Sequence, residues 1–144
     1  AAIGEVAEHL AAGDVTSLAA RTARRDLQHR AFALSEAYDT ATAASRRPRR
    51  EAERMWPIIA ATEQLAYRLL SSCWAIERIG GEAGRAAAGS MFGRTGLEAL
   101  RQVLGQAAPA VDGAGVPRPV AGVPDFIGAE VTDLYRSLRS EDPE

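Results

Sequence analysis

The sequence predicts an all-α fold, an antiparallel bundle of four to five helices with two of them long. Three observations carry that prediction. Asp14 to Ala44 runs without a single Gly or Pro, and a second long stretch, from about Arg49 to Ile79, becomes apolar nearly all round. The chain is 47% hydrophobic, much of it Ala, with only 6% aromatic residues. Ala is the strongest helix former and lets helices approach closely. Runs of β-branched residues, which a compact sheet core needs, are missing. A chain of 144 residues is long enough for one domain with a sizeable core.

Taken in order, Ala1 to Ala12 reads as a short helix, with Ile3, Val6 and Leu10 at helical spacing. Gly13 ends it, and Asp14 or Thr16 is expected to cap the next helix. In that helix Ala20, Ala23, Leu27, Ala31, Leu34, Tyr38 and Ala41 form one stripe, and Phe32 widens the apolar face. Arg21, Arg24 and Arg25 fall mostly off it. The joint Ser45-Arg46-Arg47-Pro48-Arg49-Arg50 follows, with Arg47 expected in the turn because a residue before proline avoids the α region. Pro57 is expected to kink the third helix or mark its true start.

Beyond Pro57 the third helix carries two neighbouring stripes. One is Ile58, Thr62, Leu65, Leu69, Cys73 and Ile76; the other is Ile59, Ala66, Leu70 and Trp74. Gly80-Gly81 terminates it. Glu82 to Ser90 reads as a short helix, and a further one runs from Phe92 or Thr95 to Ala107, stopped by Pro109. Residues 109–124 hold four Pro and three Gly and read as a strap. A last amphipathic helix opens at Asp125, with Ile127, Val131, Leu134 and Leu138 on one face and Phe126 and Tyr135 widening it; the acidic tail from Glu141 to Glu144 is expected to fray. The division is thus a bundle over 1–108, the strap over 109–124 and a C-terminal helix with its tail over 125–144.

Composition excludes several functions. The net charge of −2 argues against a dedicated nucleic-acid binder. Charge is unevenly placed: Leu18 to Arg54 holds nine Arg against five acids, and Asp125 to Glu144 holds six acids against two Arg. Every basic residue is Arg and Asn is absent, a pattern that follows from a GC-rich genome. The one cysteine, Cys73, precludes an intrachain disulfide and a Cys-based zinc site. Signal-peptide patterning is absent, and no apolar run reaches the roughly 18 residues a membrane helix needs. The start at Ala1, already in helical register, points to a segment of a longer chain.

Side chains with chemical potential are few. His9 and His29 sit on different helices with no acid at metal-ligand spacing, so solvated or capping roles are expected. Cys73 lies on an apolar face and reads as a small hydrophobe. Glu51, Glu53, Glu63 and Glu77 lack the Glu-x-x-His pairs of a di-iron bundle. The glycine-rich stretches 80–84 and 89–96 match no phosphate loop. No catalytic, metal or cofactor site is therefore expected. The one patch singled out is Arg46, Arg47, Arg49 and Arg50, read either as a solvated turn or as a contact with anionic lipid headgroups or a partner's acidic groups.

The order of elements resembles a known family. The features are Leu10-Ala11-Ala12-Gly13-Asp14, then Ala23-Arg24-Arg25-Asp26-Leu27 and Ala37-Tyr38-Asp39-Thr40-Ala41, then the Arg-Pro-Arg turn and Ile59-Ala60-Ala61-Thr62-Glu63-Gln64-Leu65-Ala66. Together, over about residues 1–108, they resemble the cytoplasmic helical domain of bacterial fusaric-acid-resistance-like (FUSC) inner-membrane proteins, related to aromatic acid exporters. The resemblance implies a non-enzymatic domain at the cytoplasmic face of the inner membrane. It implies a role in assembly or regulation of a transporter of aromatic or other small organic acids. The expected partners are the protein's own transmembrane region, further copies of the chain, and anionic lipid headgroups, with no nucleic acid. The two-stripe helix Ile58–Ile76 is the feature that suggests self-association. Two other readings stand beside it. One is a free-standing adaptor bundle that binds a protein partner. The other is a ligand-sensing bundle or enzyme with a pocket near Trp56, Tyr67 and Trp74, where Thr62, Gln64 and Ser72 are the available polar groups.

Overall fold

The structure, a computed structural model, describes residues 1–139; the expected acidic tail lies outside the described residues. Six helices and no strand are found among the described residues: α1 (Ala2–Ala11), α2 (Leu18–Ala43), α3 (Arg46–Ile79), α4 (Gly81–Met91), α5 (Gly93–Val111) and α6 (Gly128–Arg139). The all-α bundle with two long helices is the fold observed.

Gly13 does end the first helical segment, at φ +69°, a conformation that strains any side chain, and a Cβ there would sit a tight 3.1 Å from Arg85 Cα. The cap of α2 is neither of the two residues expected. Ser17 accepts from the Ala20 N–H at 3.1 Å, while Asp14 accepts from the Ser17 hydroxyl at 2.7 Å and orients it. These bonds are the main reason the Asp14 carboxyl sits below its usual range.

The joint between the long helices is shorter than expected. Only Ala44 and Ser45 are extended, and α3 begins at Arg46, so Arg47 is helical and not in the turn. Pro48 falls within the first turn of α3, where a missing N–H has no intrahelical partner to lose. Pro57 does not mark the start of α3 either; the helix runs through it. It lies on the exposed side beside exposed Glu53, so water can serve the carbonyl that its ring leaves unbonded. Pro109 likewise fails to stop α5, which continues to Val111 because Ala107 and Ala110 are both buried in the core. The helix closes instead through Gly113 at φ +76°, with the Ala114 N–H returning to the Pro109 carbonyl at 2.9 Å.

Helix α3 is the spine. It packs on α1, α2, α4 and α6, most extensively on α2 and then α6. Both of its predicted stripes are consumed inside the chain: Leu65, Leu69 and Leu70 are fully buried, and Ile58, Ala66, Cys73 and Ile76 nearly so. Burying each leucine contributes about 2 kcal/mol. The feature that suggested self-association is thereby satisfied in cis, and only Trp74 of the second stripe remains well exposed. Helices α2 and α3 run antiparallel, since Arg24 meets Glu77, Ser35 meets Glu63 and Tyr38 meets Trp56 in that order.

A single 3₁₀ turn (Asp125–Ile127) buries Ile127 against α3 and leads into α6, which docks on α3 and α5 of its own bundle with Val131, Leu134 and Leu138 in the core. The strap is held at its C-terminal end and near its middle. Pro124 lies against Gly96 of α5, and Arg139 donates to the Pro117 carbonyl at 3.1 Å.

Candidate functional site

The four arginines singled out from sequence stand at the end of a helical arm. In α2 the buried residues stop at Ala31; in α3 they begin at Ile58, with Ala52 the one exception. Residues 32–57 therefore extend beyond the common core as a two-helix hairpin, reaching roughly 20 Å at 1.5 Å per residue. The arm has its own seam. Leu34, Tyr38 and Ala41 of α2 and Met55 of α3 are half-buried, and the Tyr38 and Trp56 rings stack with centroids 4.4 Å apart.

At the tip, Arg46, Arg47, Arg49 and Arg50 are all exposed. Arg47 makes only a loose contact with Glu51 at 3.9 Å, and its side chain is 94% exposed. Arg49 donates from Nε to the Thr42 carbonyl at 2.8 Å and so caps the end of α2. Arg46 and Arg50 have no acidic partner among the described residues. The first turn of α3 holds no acid. Cations at a helix N-terminus oppose the macrodipole, so this placement lowers local stability slightly. The acids of α6 do not neutralise the tip: Glu130 pairs with Arg68 at 3.0 Å and Asp133 with Arg136 at 3.6 Å. The tip is thus a compact cationic surface, offset only by the loose contact with Glu51.

Other predicted positions resolve differently. Trp56, Tyr67 and Trp74 line none of the three main grooves among the described residues. They lie on one outward stripe of α3, between 41% and 45% exposed. Phe32, expected on the inner face of α2, is 61% exposed. Thr62 and Ser72 donate to the Ile58 and Arg68 carbonyls of their own helix, and Gln64 is exposed. His9 contacts Asp14 at 3.2 Å across the first turn of the chain. Cys73 is buried, and that burial pushes its thiol up to about 11. No group of three or more metal-ligating side chains occurs among the described residues, and none of their helices is long and apolar enough to cross a membrane.

One charged pair escaped the sequence reading. Arg24 is buried inside the α2–α3 interface and donates to Glu77 at 3.0 Å; Arg21 reaches the other carboxylate oxygen at 3.3 Å. The hydrogen bond from Arg24 is the largest cause holding the Glu77 carboxyl below its ordinary range. An apolar groove of about 390 Å³ lies where the arm leaves the body, between α1, α2, α3 and α5, with Arg30, Thr62 and Glu63 at its polar edge.

Compared with known proteins, the chain matches no family model, no curated protein and no solved structure.

Proposed function

We propose that this chain is a non-catalytic cytoplasmic domain of a bacterial inner-membrane transporter of the FUSC type, exporting aromatic or related small organic acids. It serves assembly or regulation, and the tip of its α2–α3 arm rests against anionic lipid headgroups. The observation that carries the reading is the exposed, unneutralised arginine tip, set away from the core on a two-helix lever. Near an anionic surface each such cation contributes about 1 kcal/mol. The resemblance over residues 1–108 supports the transporter context.

The exposed aromatic stripe of α3, with Phe32 on α2, favours a second reading, an adaptor bundle that binds another protein. Fractionation of the native full-length protein separates the two. Retention in membranes after an alkaline carbonate wash supports the transporter domain. Recovery in the soluble fraction removes it and leaves the adaptor.

A further inference from the structure

We propose that the groove between the strap and α6 binds a small monocarboxylate with an apolar body. The groove measures about 720 Å³ and is lined by Val120, Val123 and Val131, with Tyr135, Arg136 and Arg139 along α6. Its walls thus combine aliphatic surface with two guanidinium groups and a phenol.

Tyr135 is the independent observation. The residue is 8% exposed, and its hydroxyl is buried with no hydrogen-bond partner among the described residues. A buried phenol almost always finds a partner, so an unpartnered one beside a groove marks a place where an acceptor is missing. The neighbouring charges define which acceptor fits. Arg139 commits one N–H to the Pro117 carbonyl, which leaves its other donors available. Arg136 contacts Asp133 at 3.6 Å, and Glu130 on the same helix is turned away to Arg68. Asp133 offsets Arg136 in part, so the groove wall keeps a cationic side that suits an anionic ligand. A carboxylate there accepts from the Tyr135 hydroxyl and a guanidinium together, while its apolar body covers the valines. Because the hydroxyl is occluded from water, the ligand reaches it by parting the strap from α6.

The site is independent of the membrane reading, because nothing in it depends on the arm or on a bilayer. The test is titration of the whole chain with sodium octanoate, followed by amide chemical shifts, beside octanamide as the uncharged control. The expected result is saturable octanoate binding with the largest shifts in residues 117–139. Tyr135→Phe should weaken it about tenfold, the effect of one lost hydrogen bond to a charged group. Without octanoate, Tyr135→Phe should unfold at the same temperature or higher, since it removes an unpartnered hydroxyl. Arg136→Gln, at a position with a 76% exposed side chain that leaves the fold undisturbed, should also weaken binding severalfold. Failure to saturate by about 10 mM octanoate, equal binding of octanamide, or unchanged binding by both variants would overturn the proposal.

Discussion

At the scale of single residues, burial decides which charges matter. Arg24 sits off the predicted apolar stripe of α2, yet it is buried because α3 wraps that side of the helix and brings Glu77 to it. Sequence periodicity locates the face toward the body; it does not say that a second helix covers the flank. Arg24→Met should lower the thermal midpoint by roughly 3–6 °C, since Glu77 loses its partner while remaining partly hydrated. The loss should depend on pH. Glu77 in the folded state titrates below its ordinary value, so the pair's contribution is present above about pH 4.5 and fades as pH falls through the lowered folded value. Thermal unfolding of both proteins at pH 7 and pH 3 checks this; an equal gap at both would contradict it. Cys73 was legible from sequence, because Leu69, Leu70 and Ile76, three and four residues away, are apolar. Buried, and with its thiol pushed up to about 11, it should react with a thiol reagent only as fast as the protein opens. A native-state rate close to that of the urea-unfolded chain would show that the burial is wrong.

At the scale of elements, prolines misled the sequence reading in one consistent way, whereas Gly13 and Gly80 end helices as expected. Pro57 and Pro109 each remove one helical hydrogen bond, but the residues after them bury enough apolar surface to keep the helix intact. Punctuation by proline is a local signal, and packing overrides it wherever the far side of the proline belongs to the core. Pro57→Ala should therefore stabilise α3. Restoring the N–H and the intrinsic preference for Ala is worth up to about 3 kcal/mol, offset in part by greater freedom of the unfolded chain. We expect a net gain of about 1–2 kcal/mol in urea unfolding. Gly96 illustrates the opposite case. A Cβ there would lie 2.7 Å from Pro124 Cγ and 3.1 Å from Phe92 Cδ2, both in rigid rings. Gly96→Ala gains helix propensity yet should lose about 1–3 kcal/mol, because the strap must lift off α5. That this glycine receives a proline from the strap, 28 positions later in the sequence, is a long-range fact that no local pattern encodes.

At the scale of the whole molecule, a compact six-helix body carries a two-helix arm with four arginines at its tip. Sequence located the arginine cluster where the two long helices join and gave its charge, though it put Arg47 in the turn and not in α3. It did not give the distance from the core, which follows from where burial ceases along α2 and α3. The lever explains why the tip can be altered without unfolding the body. Arg49 is the exception, since it caps α2 through the Thr42 carbonyl. The informative variant therefore replaces Arg46, Arg47 and Arg50 together with Gln and keeps Arg49. Removing three cations from the N-terminal turn of α3 relieves their clash with the helix dipole, so stability should hold or rise slightly. Binding to phosphatidylglycerol vesicles should fall about a hundredfold, from roughly 1 kcal/mol per arginine. Because the tip is fully solvated, that binding should also weaken steeply as salt rises through about 0.1 M, where the screening length is near 10 Å. Cosedimentation with anionic and with neutral phosphatidylcholine vesicles makes the measurement. Equal binding to both, or a triple variant that binds as well as the parent, would assign the affinity to the aromatic stripe of α3, and the arginine tip would then be a solvated helix end.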